Sequence, residues 1–284
     1  MRRILYSIVL IFSASALILS CGGSDKNDPK AAQGEGMLTR DMLLEGDKTV
    51  YGLACEGCTD SVVVLLPMDG SDPIRYDIID ATRLGKVLGK PNVGDWIGVV
   101  LNEKDSTVAD MVIDLDELKG TWCYIVMPQM KDYESMSPRL QARMMRDMPD
   151  SVKETYLIPR EYGFTMGRHW TAGSVGYVQE STLDNDNPVV YPPLGFFTEW
   201  HIWNGKLVVT SGKPTYPEGK DEMVLTEIRY DTCDIVYLKD DSLVLASDGM
   251  TRSYYRRTNV DDINRKAKEM AAKMQQKALD QLKE

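Results

Sequence analysis

Leu118-Lys119-Gly120-Thr121-Trp122, set against Ser253-Tyr254-Tyr255-Arg256-Arg257 near the other end of the chain, decides the fold. A glycine ahead of an alternating run opens a strand, and an aromatic-basic run closes one. Between them, residues 197–203 and 206–210 form two strand-like runs joined at Asn204-Gly205, the strongest two-residue hairpin signal. A second pair, 231–238 and 243–247, is joined by Lys239-Asp240-Asp241-Ser242. Working toward the N-terminus, β-branched and apolar runs recur at 48–53, 61–66, 74–80, 96–101 and 107–113, with Gly, Pro, Asn and Asp between them. Five short strands suit a small barrel or curled sheet, and an oligonucleotide/oligosaccharide-binding (OB) type barrel is one candidate.

Over residues 118–258 the chain resembles the lipocalin-like family, here of the Bacteroidota lipoprotein type. Such domains begin with Gly-x-Trp on the first strand and end on a strand whose basic residue packs over that tryptophan. The resemblance implies that Trp122 lies beside Arg256 or Arg257 at the closed end of an antiparallel barrel. Neighbouring strand residues point to opposite faces, so only one arginine can stack and the other is expected at the surface. Aromatic residues cluster in this half, and Phe164, Tyr177, Phe197, Trp200 and Tyr237 are the candidate lining of a cavity for an apolar or amphipathic ligand or a sugar. A filled core is the alternative, because small barrels are only just wide enough for their side chains.

A helical insertion is expected from Ser137-Pro138, with serine as cap and proline in the first turn, through Met148. A second short helix is expected over 150–157. The insertion is either a plug at one barrel end or a lid. Residues 260–284 read as an amphipathic helix capped by Asn259, with Ile263, Ala267, Met270, Met274, Ala278 and Leu282 in one stripe. That stripe either docks on its own barrel or meets an envelope protein partner.

Arg2, Arg3, an apolar run over 4–19 and a cysteine at 21 have the parts of a secretory signal, and Ile18-Leu19-Ser20-Cys21 resembles the bacterial lipoprotein cleavage box. Cys21 is then the acylated (palmitate-bearing) N-terminus of the mature protein, and membrane contact runs through that lipid. Residues 22–36, rich in Gly, Ser, Asp and Asn, read as a tether. Gly22 lacks the aspartate of inner-membrane retention, and Ser24-Asp25-Lys26-Asn27-Asp28 resembles Bacteroidota surface-export signals, which favours the outer membrane. Asp-Ser at 60–61, 105–106, 150–151 and 241–242 resembles the O-glycosylation acceptor pattern of the same envelope proteins, and is equally turn chemistry.

The formal net charge of −10 becomes two units more acidic once residues 1–20 leave. Phosphate binding needs a clustered basic surface, so nucleic acid is excluded as a partner. Cys55-Glu56-Gly57-Cys58 leads into a strand rather than a helix, unlike a thioredoxin-type site. Outside the cytoplasm its default is a disulfide, with metal and redox roles as alternatives. Cys123 and Cys233 are either cross-strand partners or separate core thiols. Two histidines, His169 and His201, and no recognisable nucleophile, phosphate-loop or metal motif leave no catalytic residue, metal or cofactor to assign.

The expected architecture is mainly β: signal 1–20, lipidated tether 21–46, a small OB-like barrel 47–116, a lipocalin-like antiparallel barrel 117–258 with a helical insertion, and a C-terminal helix 259–284. Three functions compete. A ligand-binding lipoprotein requires a cavity. An assembly component requires a solid barrel and an exposed apolar patch. A carbohydrate- or thiol-active enzyme requires converging carboxylates or a reactive Cys55.

Overall fold

The computed structural model describes residues 44–132, 135–149, 158–177, 189–216, 223–258 and 265–281. The signal, the tether through residue 43, the second insertion helix and Asn259 lie outside them. All described residues belong to one compact unit.

The first sheet contains β1 (Val50–Ala54), β2 (Val62–Pro67), β3 (Ile74–Asp77), β4 (Val87–Leu88), β5 (Trp96–Leu101) and β6 (Ala109–Asp114), in the order β3-β2-β1-β5-β6-β4. It curls back on itself: Asp77 bridges Val108 in parallel, and Asp77 N–H donates to Thr107 O at 2.9 Å. This is a partly open small barrel of the OB type. Val63, Leu65, Ile97, Val99 and Val112 fill it. Strand was expected through residue 80, but β3 stops at Asp77, whose carboxylate accepts from Ile79 N at 2.8 Å and turns the chain into the helix Ile79–Arg83. The two-residue β4 pairs in parallel with β6, a long-range contact with no local signature.

The second sheet has eight strands: β7 (Gly120–Val126), β9 (Arg160–Met166), β10 (Ala172–Val175), β12 (Phe196–Trp203), β13 (Lys206–Thr215), β14 (Val224–Lys239), β15 (Ser242–Ser247) and β16 (Met250–Arg256). Neighbours pair antiparallel in the order β10-β9-β7-β16-β15-β14-β13-β12, so that β16 returns to β7 and β10 and β12 are the two edges of a nearly closed barrel. The seam between β10 and β12 is completed by the Thr171–Glu199 bridge and by Trp200 N–H donating to Trp170 O at 2.8 Å. The result is an eight-stranded up-and-down antiparallel barrel, the topology lipocalins share. A separate ribbon of β8 (Gln129–Met130) and β11 (Val189–Val190) lies in the insertions.

Residues directly opposite each other on antiparallel strands share a face, so register identifies the interior. Trp122, Phe164, Met166, Trp200, Ile202, Leu207, Ile235, Leu238 and Leu243 face inward and form one core with Tyr51, Leu88, Ile113, Leu115 and Leu118 of the N-terminal half. The first sheet therefore seals one barrel end. The helix Leu115–Leu118 lies across the 116/117 boundary, with Leu115 and Leu118 buried in the shared core. Glu117 ties the halves: its carboxylate accepts from Lys90 N at 2.7 Å and from Asp240 N at 2.5 Å. Asp47 does the same at the Asn204-Gly205 turn, accepting from Asn204 N at 2.9 Å and Tyr51 Oη at 2.5 Å. Gly205 has a φ of 82°, and a Cβ there would stand 2.8 Å from Met111 Sδ, so the hairpin tip is packed against β6.

Asp114 caps that boundary helix, accepting Glu117 N–H at 2.9 Å. Burial pushes its carboxyl up to about 6. The folded state thus holds a proton there that the unfolded chain has already released, and this contribution is complete below the unfolded value and lost as pH rises through about 6. Urea unfolding across pH 4–7 is expected to show that decline, and Asp114→Asn, which keeps a capping oxygen, to flatten it. An unchanged slope in the variant would refute the assignment.

The insertion helix runs Pro138–Asp147; Ser137 takes the cap position, but its side chain makes no capping bond. The C-terminal helix Arg265–Gln281 lies on the barrel's outer wall, with Ala267 buried and Lys266 Nζ 3.7 Å above the Tyr255 ring. No helix among the described residues is long and apolar enough to cross a membrane.

Candidate functional site

Trp122 and Arg256 come together at the sealed end. Trp122 is fully buried, Arg256 Cζ lies 4.2 Å above its ring, and the indole N–H donates to Leu118 O at 2.8 Å. Arg256 spreads its fork over backbone carbonyls, donating to Lys119 O at 2.7 Å, to Asp240 O at 2.9 Å and to Glu117 O. Gly120, with φ 133°, is required here because a Cβ would collide with that guanidinium.

Arg257 takes the opposite face, but it is not at the surface. Its side chain is mostly buried beneath the C-terminal helix, 3.7 Å from the Glu161 carboxylate, which also accepts from Tyr255 Oη at 2.5 Å. Cys123 lies on this covered outer face, where burial pushes its thiol up to about 11.

The far half of the barrel is built differently. Register places Tyr124, Tyr162 and Arg160 inward on β7 and β9, Arg252 and Tyr254 inward on β16, and Arg229, Asp231 and Cys233 inward on β14. Arg229, Asp231 and Arg252 face the lumen and are nevertheless solvent-exposed. The lumen is therefore open at this end, while residues one or two levels deeper, such as Leu238 and Leu243, are sealed. Its floor is aromatic: Tyr254 meets Tyr124 edge-on at 5.3 Å and lies 5.2 Å from Phe164, and Tyr124 meets Tyr162 at 6.3 Å. Two guanidinium groups cover tyrosine faces, Arg252 over Tyr124 at 4.3 Å and Arg160 over Tyr191 at 3.8 Å. Burial pushes the Tyr254 phenol up to about 12 against the opposing pull of Arg252, so it is a neutral donor at physiological pH.

Of the expected cavity residues, Phe164 and Phe197 belong to this floor, their rings 6.1 Å apart edge-on. Trp200 is in the packed half, 4.7 Å from Trp170. Tyr177 packs on Phe196, the outward neighbour of Phe197, at 5.2 Å. Tyr237 is on the outer surface, which corrects the expectation: a bulge between Ile235 and Tyr237 inserts one residue, so Leu238 turns inward in its place. The arginines were missed, although period-two alternation from Arg256 through Tyr254 reaches Arg252 on one face.

Cys55 and Cys58 flank the expected turn, with Gly57 at φ 97°, but both thiols are free; Cys58 Sγ donates to Cys55 O at 3.2 Å and accepts from Val64 N at 3.3 Å. Cys123 and Cys233 are also free and occupy opposite faces of the sheet, outer and luminal. His169 is exposed in the Arg168–Trp170 turn. His201 lies 3.6 Å from Glu199 and packs near Trp170. Among the described residues no group of three or more His, Cys, Asp or Glu is placed to hold a metal ion.

No family model and no curated protein matches the chain. Among solved structures, the chain is similar to a lipocalin-like protein from Bacteroides thetaiotaomicron VPI-5482, at 19% identity over 49% of this chain and 95% of that one, with a TM-score of 0.25. The barrel topology given above follows from this chain's own strand order.

Proposed function

We propose that this chain is a lipid-anchored, non-enzymatic envelope protein whose barrel receives a small amphipathic ligand through its open end. One observation carries the ligand reading: inward-facing residues of the outer half are exposed to solvent above an aromatic floor. The anchoring reading rests on the signal-like residues 1–20 and Cys21, and an outer-membrane location on the residues after it. The test is titration of the mature full chain with a fluorescent fatty-acid analogue. Saturable binding is expected, and Asp231→Trp, which fills the lumen from an exposed inward position, is expected to weaken it at least about tenfold. Equal binding by the two proteins would overturn the luminal site. In detergent-phase partitioning, Cys21→Ser is expected to leave the detergent phase.

A second reading, contact with an envelope protein partner, is favoured by the outer face of β14, where Ile228, Tyr230, Val236 and Tyr237 are all exposed. A strip of this kind suits a protein surface.

A further inference from the structure

We propose that the luminal ligand carries an anionic head group, held at the floor of the open half by Arg252 with the Tyr124 and Tyr254 hydroxyls, with Arg160 nearer the mouth. This rests on the ligand-binding reading above and adds the chemical class of the ligand. In an acidic protein, the lumen presents three arginines, Arg160, Arg229 and Arg252, and the carboxylate of Asp231. Among the described residues no carboxylate lies within ion-pair distance of Arg160 or Arg252. Each instead stacks its guanidinium on a tyrosine ring, and Arg252 also hydrogen-bonds the Tyr124 and Tyr254 hydroxyls, as Arg160 does that of Tyr191, which orients the planar fork. Arg256 differs: its donors are spent on three backbone carbonyls. An oriented guanidinium beside neutral phenol donors is suited to bidentate capture of a carboxylate or a phosphate oxygen pair.

The depth of Arg252 sets the level of the head group. It pairs across the sheet with the buried Leu245, and the next inward residue on its strand toward the mouth is Met250, which is exposed. The charged head is thus held just above the sealed core and within reach of water, with the Phe164 and Phe197 rings of the floor as the apolar surface beside it.

The experiment is calorimetric titration of the mature full chain with oleate, oleoyl lysophosphatidate and oleyl alcohol, which share one chain and differ in the head. At least one anion is expected to bind about tenfold or more tightly than the alcohol. Whichever anion binds more tightly identifies the head as carboxylate or phosphate. In Arg252→Gln the anion-to-alcohol ratio is expected to fall at least about tenfold; Arg160→Gln provides a second variant and a smaller fall, should the first not fold. If the alcohol binds as tightly as both anions, or the ratio survives in folded variants, the anionic head is refuted and the ligand-binding lumen stands. If none of the three binds, the ligand-binding reading fails and this inference with it.

Discussion

Trp122→Ala is expected to destabilise the protein by about 3–5 kcal/mol, the range for emptying a fully buried large aromatic site. Three losses coincide. The ring's volume is removed where Phe164 stands directly opposite on β9. The indole N–H that satisfies Leu118 O disappears, at the helix joining the two sheets. The Arg256 guanidinium loses the face it stacks on, while its bonds to three carbonyls keep it in place over the void. The measurement is urea unfolding of wild type, Trp122→Ala and Trp122→Phe. Phenylalanine is expected to cost less, because it returns part of the volume but not the N–H. A change of less than about 1 kcal/mol for the alanine variant, within the range of an ordinary surface substitution, would show that the ring does not seal the barrel.

Arg257→Ala is expected to cost about 3 kcal/mol, at the lower end of the range for removing one partner from a buried ion pair. The sequence alone places whichever arginine does not stack on Trp122 at the surface, with almost no effect. Its partner Glu161 is almost wholly inaccessible, and Tyr255 donates to the same carboxylate. Removing the guanidinium takes a positive charge from beside that buried carboxylate, so Glu161→Gln combined with Arg257→Met is expected to recover most of the cost. If the double variant is no more stable than Arg257→Ala, the pair is not what holds this wall together.

Local signals in the chain account for much of this fold. Asn204-Gly205 makes its hairpin because both residues tolerate the positive φ of that turn. Gly120, Trp122 and the basic close of β16 mark the start and end of a cyclic sheet. What escaped was non-local. The bulge that reverses Tyr237 arises from pairing with Val244, not from its own neighbours. β4 exists only because β6 lies beside it. The open half escaped for a different reason. Aromatic clusters draw attention to apolar lining, whereas this lumen is distinguished by arginines: alternation from Arg256 reaches Arg252, but the inward direction of Arg160 follows only from register with Val126.

The five tryptophans are unevenly placed. Trp122, Trp170 and Trp200 belong to the sealed core, Trp96 packs against it, and Trp203 donates to Glu45 O beside the Asn204 turn. The open half carries tyrosine and phenylalanine instead. Intrinsic emission excited at the indole band is therefore a gauge of the foot of the barrel and blind to its mouth. Denaturation followed this way reports the junction of the two sheets, and a titration followed this way senses the lumen only through its floor, where Phe164 stands opposite Trp122. Occupancy nearer the mouth is read from tyrosine absorbance, or from energy transfer between an acceptor-labelled ligand and those indoles.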